Sequence, residues 1–147
     1  IEQGEIMLRS PSLARTYRHG ALPLREGWLP TGDLGRLVDS RIVVDGRCDD
    51  LIITGGVKVW PRVVEARLRE HPLVTDVCVV GAPDEQWGAA VVAYITTPST
   101  TPPTLEHLRG HVKETLSAAH APQRIIVVSE IPRTTLGKVR RSELPGV

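Results

Sequence analysis

The feature that most constrains the fold of this 147-residue chain is a change of pattern near residue 46. Before it, short strand-like segments at residues 5–9, 36–38 and 41–44 are separated by glycine and proline, and no segment has helical periodicity. Asp39-Ser40 predicts a hairpin turn between the last two segments. Because this region is poor in apolar residues, we expect it to be the β-rich edge of a larger domain.

Beyond residue 46 the chain alternates strands and helices. Residues 51–54, 74–80, 89–96 and 123–128 have the composition of strands, whereas 82–84 and 132–147 have that of loops, the latter with room for a short final helix. Helical spacing predicts a helix over 61–71, opened by Pro61, and a second helix capped by Thr104. This order predicts an α+β domain over residues 47–147, with a central sheet flanked by helices.

Composition excludes several classes of function. With 18 basic and 17 acidic residues the net charge is +1, so we expect neither a nucleic-acid partner nor a membrane surface. The longest apolar runs, 77–80 and 89–95, are too short to span a bilayer. Cys48 and Cys78 are too few for a disulfide framework or a zinc site, which predicts reduced thiols in the cytoplasm. The start has neither a signal peptide nor an initiator Met, as expected of a chain that begins within a longer protein.

Five sequence motifs follow one another in a fixed order. They are GEI at 4–6, GWLPTGDLG at 27–35, GRCDDLIITGGVKVWPRVVE at 46–65, GAPDEQWGAAVVA at 81–93 and IPRTTLGKVRR at 131–141. Together they resemble the adenylate-forming ligases, the superfamily of acyl-CoA synthetases, luciferases and peptide-synthetase adenylation domains. The resemblance covers essentially the whole chain. It implies that residues 1–46 are the β-rich end of a large N-terminal domain, otherwise missing here, and that 47–147 form the mobile C-terminal lid.

The resemblance assigns the catalytic role to Lys138. Joining a carboxylate to AMP brings two anions together at the α-phosphate, and a mobile cation at that point lowers the barrier. A compact ammonium group on a loop that follows Gly137 suits this task. Taken without the surrounding motif, a Gly-Lys pair in a basic tail is more often a solvated surface lysine.

The resemblance implies that two residues on the N-terminal side of Asp49 bind the nucleotide. The Asp33 carboxylate offers two acceptor oxygens for the ribose hydroxyls of ATP or AMP, and Arg47 would orient the ribose or the phosphates. The structural alternatives are a turn-forming aspartate and a surface ion pair of Arg47 with Asp49 or Asp50.

Asp49 matches the hinge of the family, in which the small domain rotates between an adenylating and a thioester-forming pose. A non-helical residue between domains absorbs the change of backbone angles. Gly55 and Gly56 would then approach the pantetheine arm of CoA, because they have no Cβ. The alternative for this pair is a tight β-turn and nothing more.

Other features carry less weight. His107 and His111 stand four apart but have no third ligand, so we expect an exposed helix face and no metal site. Arg133, Arg140 and Arg141 either contact CoA phosphates or form a solvated tail. Trp60 and Trp87 are expected in the core or at a domain interface.

Within the superfamily, DDLIITGGVKVWPRVVEARL, PPTLEHLRGHVKETL and AAHAPQRIIVV most resemble the o-succinylbenzoate–CoA ligases of menaquinone biosynthesis. The implied reaction joins a small carboxylic acid to ATP with Mg²⁺, releases pyrophosphate, and then transfers the acyl group to CoA. The Mg²⁺ ligands and the acid pocket are expected outside this chain, which is therefore predicted to be inactive alone. The complete enzyme is compatible with a homodimer. The alternatives are another acyl- or aryl-CoA ligase, a peptide-synthetase adenylation domain that delivers to a carrier protein, and a non-catalytic interaction module.

Overall fold

The structure, a computed structural model, describes residues 4–18 and 20–146. The chain divides into two compact units, Ile1–Asp49 and Asp50–Val147, and each is described by itself. Among the described residues, no helix combines the length and apolar character needed to cross a membrane.

The first unit consists of short antiparallel sheets. Its strands are β1 (Glu5–Leu8), β2 (Thr16–Tyr17), β3 (Gly20–Ala21), β4 (Leu29–Val38) and β5 (Arg41–Arg47). The main sheet has the order β1-β4-β5, and β2 pairs with β3. A 3-10 turn over Cys48–Asp50 follows β5. The predicted turn at Asp39-Ser40 is confirmed, since both residues have positive φ, 47° and 61°, as a two-residue hairpin loop requires.

The glycines of β4 do not end the strand, which contradicts the prediction that its ordered part begins at residue 36. The pairing with β5 shifts register between Leu34 and Gly35, and the extra residue of this bulge is Asp45 in β5. A Cβ at Gly35 would lie 2.6 Å from the Val43 carbonyl oxygen and 2.8 Å from Ile6 Cδ1. Glycine here permits close approach of the neighbouring strands rather than a turn.

The second unit is a mixed α/β arrangement that contains the predicted order of helices and strands. Its elements are β6 (Ile52–Thr54), β7 (Val57–Val59), α1 (Pro61–Arg69), β8 (Asp76–Asp84), β9 (Gly88–Thr96), α2 (Leu105–Lys113) and β10 (Arg124–Val127). β6 and β7 form a hairpin, of which β7 was not predicted. The larger sheet has the order β10-β9-β8, with β8 antiparallel and β10 parallel to the central β9.

Two apolar clusters cover the two faces of this larger sheet. On one face, Val64 and Leu68 of α1 and Leu108 and Val112 of α2 pack with buried sheet residues, and all four helix residues are fully buried. On the other face, the C-terminal segment contributes Ile131 and Leu144. The buried sheet residues on that second face are Cys78, Val80, Ala90, Val92 and Tyr94. The sheet is therefore central, and the C-terminal segment is anchored to it.

Two of the boundaries that differ from prediction involve a proline. Helix α1 ends at Arg69 rather than 71, because His71 precedes Pro72 and a residue before proline is disfavoured in helical conformation. Residues 82–84 belong to β8, not to a loop. Pro83 is tolerated there because β8 lies at the edge of the sheet.

Side chains of α1 cover the free edge of β8. The Glu65 carboxylate accepts a hydrogen bond from the Val79 N–H at 2.9 Å, and Arg69 donates to the Val77 carbonyl at 3.1 Å. Backbone groups at a sheet edge need such partners, so α1 protects the edge as well as one face.

Candidate functional site

Lys138 lies at the end of a small β-hairpin. Arg133 and Val139 form an antiparallel bridge, the Thr134 N–H donates to the Lys138 carbonyl at 2.7 Å, and the Gly137 N–H donates to the Thr134 carbonyl at 2.8 Å. Gly137 has φ +81°. This is the left-handed position of a three-residue hairpin loop, which favours glycine. The Lys138 N–H also donates to Thr134 Oγ1 at 3.1 Å.

The hairpin presents its tip to solvent. Thr135, Leu136, Gly137 and Lys138 are all exposed, and Leu136 is 94% exposed. Among the described residues, Lys138 has no ion pair. The backbone of this loop is therefore fixed by hydrogen bonds, while the ammonium group is free to meet an incoming anion.

The three arginines around the hairpin are all engaged, unlike the side chains of a solvated basic tail. Arg133 pairs with Asp76 at 2.7 Å, Arg140 with Glu143 at 2.8 Å and Arg141 with Asp50 at 2.8 Å. Sequence analysis gave no signal for Asp76 and Asp50, because they lie far from Arg133 and Arg141 along the chain.

In the first unit, Asp33 and Arg47 are paired directly across β4 and β5. Arg47 Nη1 donates to the Thr31 carbonyl at 2.8 Å and lies 3.4 Å from Asp33 Oδ1, and Arg47 Nη2 lies 3.6 Å from Asp49 Oδ2. The side chains of Asp33 and Arg47 are 37% and 49% exposed. The structure thus brings Asp33, Arg47 and Asp49 together on one accessible surface.

The backbone next to Asp33 leaves space for the side chain of Arg47. Gly32 has φ +71°, and a Cβ there would lie 2.8 Å from Arg47 Nη2, so glycine leaves room for the guanidinium. The Gly32 N–H donates to Glu5 Oε1 at 3.1 Å, and the Asp33 N–H donates to Thr31 Oγ1 at 3.1 Å. The contributions of Glu5, Thr31 and Gly32 had not been anticipated.

Asp49 is the last residue of the first unit, and its side chain is 85% exposed. It lies in the 3-10 turn over Cys48–Asp50, so the expectation of a non-helical residue is wrong in detail. The surface ion pair considered as an alternative role for Arg47 exists with Asp49, while Asp50 pairs with Arg141 instead.

Gly55 and Gly56 form the two-residue turn of the β6–β7 hairpin, with φ +54° and +79°. The Gly55 N–H donates to the Trp87 carbonyl at 2.9 Å, and a Cβ on Gly55 would lie 2.8 Å from the Trp87 ring. Trp87 is 48% exposed, so of the two expected positions, core or domain interface, the core is excluded. The turn and the indole form one surface, on a different loop from that of Lys138.

The remaining candidates behave as structural residues. His111 is not exposed as predicted: its side chain is 16% exposed and its Nε2 lies 2.9 Å from the Arg67 carbonyl oxygen. No cluster of His, Cys, Asp or Glu side chains among the described residues is arranged to hold a metal ion. Both cysteines are free, and burial raises the pKa of the Cys78 thiol to about 11.

The sequence of this chain is similar to those of known proteins. Residues 63–138 match the model of the AMP-binding enzyme C-terminal domain. "Medium/long-chain-fatty-acid–CoA ligase FadD8" of Mycobacterium tuberculosis is 42% identical over 93% of this chain and 26% of its own length. "Probable 2-succinylbenzoate–CoA ligase" of the same organism is 43% identical over 96% of this chain and 39% of its own length.

A solved structure agrees with these matches. The o-succinylbenzoate CoA synthetase (MenE) of Bacillus subtilis, in complex with the acyl-adenylate intermediate OSB-AMP, superimposes with a TM-score of 0.81 at 34% identity. The match covers 98% of this chain and 30% of that protein. The chain thus spans about a quarter to two fifths of the length of these relatives. It belongs to the AMP-binding enzyme C-terminal domain family, whose model matches just over half of its residues.

Proposed function

We propose that this chain is the C-terminal part of an AMP-forming acid–CoA ligase, with Lys138 as the cation that promotes adenylation. The observation that carries the proposal is the exposed Lys138 side chain, which has no ion pair among the described residues and stands on a rigid hairpin. A surface lysine in a flexible tail has no need of the left-handed glycine, the two backbone hydrogen bonds and the bond to the Thr134 hydroxyl that shape this loop.

In the proposed reaction the acid attacks the α-phosphorus of ATP through its carboxylate oxygen. The bond between the α-phosphorus and the oxygen that bridges to the β-phosphate breaks, and pyrophosphate leaves. Lys138 would stabilise the negative charge that accumulates on the carboxylate and phosphate oxygens, a role for which a compact ammonium is suited. Mg²⁺ would accompany the ATP, with ligands outside this chain. The thiolate of CoA then attacks the acyl carbon and displaces AMP.

Asp33 and Arg47 are proposed to hold the nucleotide. The Asp33 carboxylate would accept hydrogen bonds from the two ribose hydroxyls, and Arg47 would orient the ribose or the phosphates. Their ion pair, at 3.4 Å and half exposed, supports this role because exposed pairs contribute little stability and give way readily to a ligand. The Thr31 carbonyl keeps Arg47 in place meanwhile.

Asp49 is proposed as the hinge, and Gly55-Gly56 as the turn that approaches the pantetheine arm of CoA. The division of the chain between Asp49 and Asp50 supports the first assignment. The open surface at Gly56 supports the second, because a Cβ built there would meet no atom within 4 Å apart from its chain neighbours, which leaves room for a ligand.

Residues 1–46 are proposed to belong to a large N-terminal domain, and 47–147 to form the mobile lid. Among the described residues up to Asp49, only Ile6 and Gly35 are buried, which is too little for a domain core. Exposed Leu37 and Ile42 on the β4–β5 hairpin fit a sheet that packs against further structure. On this division of the site, the 147-residue chain alone forms no acyl-CoA.

For the acid we propose o-succinylbenzoate, supported by the 43% identity to the ligase of that name and by the TM-score of 0.81. A second candidate is a medium- or long-chain fatty acid, favoured by the 42% identity to a relative named for it. A panel of aromatic, fatty and amino acids, scored by pyrophosphate release from the complete ligase, separates the two.

The test of Lys138 is its replacement by Ala in the complete ligase. We expect pyrophosphate release to fall by about 10²- to 10³-fold, because one preorganised charge is lost from the transition state. Thioester formation from preformed acyl-AMP should change far less. Lys113→Ala, which removes an exposed lysine from the end of α2, is the matched control. Equal rates of pyrophosphate release in the two variants and the parent would refute the assignment.

A further inference from the structure

The Lys138 hairpin has few apolar anchors. Ile131 before it is buried and Val139 packs partly against the second apolar cluster, but the four residues at 135–138 are exposed. Hydrogen bonds inside the hairpin fix its own shape and leave its direction relative to the sheet undetermined. Something else must therefore set where Lys138 points.

Besides the apolar packing of Ile131 and Val139, one polar side chain connects the hairpin to the sheet. Arg133 Nη1 donates to the Gly137 carbonyl at 3.0 Å, the peptide that leads directly into Lys138. Its Nη2 donates to both carboxylate oxygens of Asp76, at 2.9 and 2.7 Å, and Asp76 is the first residue of β8. Three hydrogen bonds from one planar guanidinium fix the distance and angle between the tip of the hairpin and the end of a strand.

The acceptor is itself held in place. Asp76 Oδ1 also accepts a hydrogen bond from the Val77 N–H at 2.9 Å. Both members of the pair are about one third exposed, at 37% for Arg133 and 32% for Asp76. By contrast, Arg140 and Glu143 form a pair between two half-exposed residues three apart in the same segment, which connects nothing to the sheet.

We propose that Arg133 and Asp76 are positioning residues for Lys138, so that Arg133 acts through the Gly137 carbonyl and does not contact the nucleotide or CoA. This rests on the proposed role of Lys138 in adenylation. A displacement of about 1 Å at a reacting group costs on the order of a hundredfold in rate. Because Lys138 is proposed to act in adenylation, loss of the Arg133–Asp76 pair should slow that half-reaction selectively.

The test compares Asp76→Asn, Arg133→Lys and Asp76→Glu, with Glu143→Gln as the control that removes the pair unconnected to the sheet. In the 147-residue chain, hydrogen exchange of the Gly137 and Lys138 amides should accelerate in the first two variants and not in the control. In the complete ligase, kcat for pyrophosphate release should fall about ten- to a hundredfold with KM for ATP unchanged. Conversion of preformed acyl-AMP should stay at the parental rate, and Asp76→Glu should recover most of the loss.

A merely structural role would lower the melting temperature and both half-reactions together, and that result would overturn the proposal. So would unchanged exchange at Gly137 and Lys138 in Asp76→Asn. Lys138→Ala in the same ligase separates the two hypotheses. If Lys138→Ala slows pyrophosphate release and Asp76→Asn does not, the positioning role of Arg133 and Asp76 is refuted and the proposed role of Lys138 is kept. If Lys138→Ala has no effect on pyrophosphate release, both proposals are refuted.

Discussion

The two units of this chain differ in how they are stabilised. In the first, Ile6 and Gly35 are the only buried residues among those the structure describes up to Asp49, and large apolar side chains such as Leu37 and Ile42 are exposed. In the second, a sheet of three strands has an apolar cluster on each face, and Leu68, Tyr94 and Leu108 are almost fully buried. The second unit has a core of its own, whereas the first has a sheet and very little core.

The candidate residues are distributed over both units. Asp33, Arg47 and Asp49 lie on the unit with little core, and Lys138 lies on the unit with the core, at a hairpin fixed by polar contacts. A reacting group is placed precisely when the structure around it is rigid. A region with few apolar contacts has low local stability and gives less rigid support. The difference teaches that the Lys138 hairpin can be studied in the 147-residue chain, whereas Asp33 and Arg47 lie on a unit with little core of its own.

Core substitutions give the largest expected contrast. Leu68→Ala in α1 should lower the free energy of unfolding of the chain by about 2–5 kcal/mol, because it leaves a cavity beneath the sheet. Leu37→Ala in β4, where the side chain is 66% exposed, should change it by less than about 0.5 kcal/mol. Urea denaturation followed by circular dichroism measures both. Comparable losses in the two variants would mean that the first unit has a core after all.

Thiol reactivity gives a smaller and independent contrast. Cys78 lies in the core of the second unit, where burial raises the pKa of its thiol to about 11, so only about one molecule in a thousand carries the thiolate at pH 8. Cys48, in the 3-10 turn after β5, is half-buried. We expect one equivalent of an aromatic disulfide reagent to react quickly in the native chain and the second only on unfolding.

Single-cysteine variants identify the two thiols. Cys48→Ser should remove the fast phase, and Cys78→Ala should leave it. A fast phase that survives in Cys48→Ser would show that the sheet of the second unit opens readily, and the contrast between the two units would fail at that point.

Much of the second unit was predictable from sequence because helical and strand periodicity are local. The Thr104 cap is confirmed, with its Oγ1 accepting the His107 N–H, and so is the opening of α1 at Pro61. The failures came where tertiary context overrides a local signal. Pro83 reads as a loop residue but lies in an edge strand, and Gly32 and Gly35 read as strand breakers but lie inside β4.

The candidate site was predictable only in part, for a related reason. Lys138 and its Gly137 stand together in one motif, and Asp33 and Arg47 stand in motifs that the resemblance identified. Their roles remain predictions. The pairing of Arg133 with Asp76, 57 positions apart, depends on how the C-terminal segment returns to the start of β8. No local pattern encodes such a contact.

The smallest expected effect is on the pH dependence of stability, and it concerns residues of the second unit. His71 follows α1 and stacks edge-on with His111 at 5.2 Å between ring centroids. Burial first, then the neighbouring His111 and His107, lowers the pKa of His71 below its usual 6.5. Its Nδ1 accepts the Leu73 N–H at 3.2 Å, which requires the unprotonated nitrogen.

Because the pKa of His71 is lower in the folded state, the unfolded chain binds the extra proton first as pH falls. The stabilisation is thus complete above about pH 6.5 and is lost as pH decreases below it. His71→Asn keeps an acceptor for the Leu73 N–H without a titrating ring, so urea denaturation at a series of pH values between 7.5 and 5 should show a shallower decline. His120→Asn, which replaces a histidine that is not among the groups lowering the pKa of His71, is the control. A decline of unchanged steepness in His71→Asn would show that His71 does not cause the acid sensitivity.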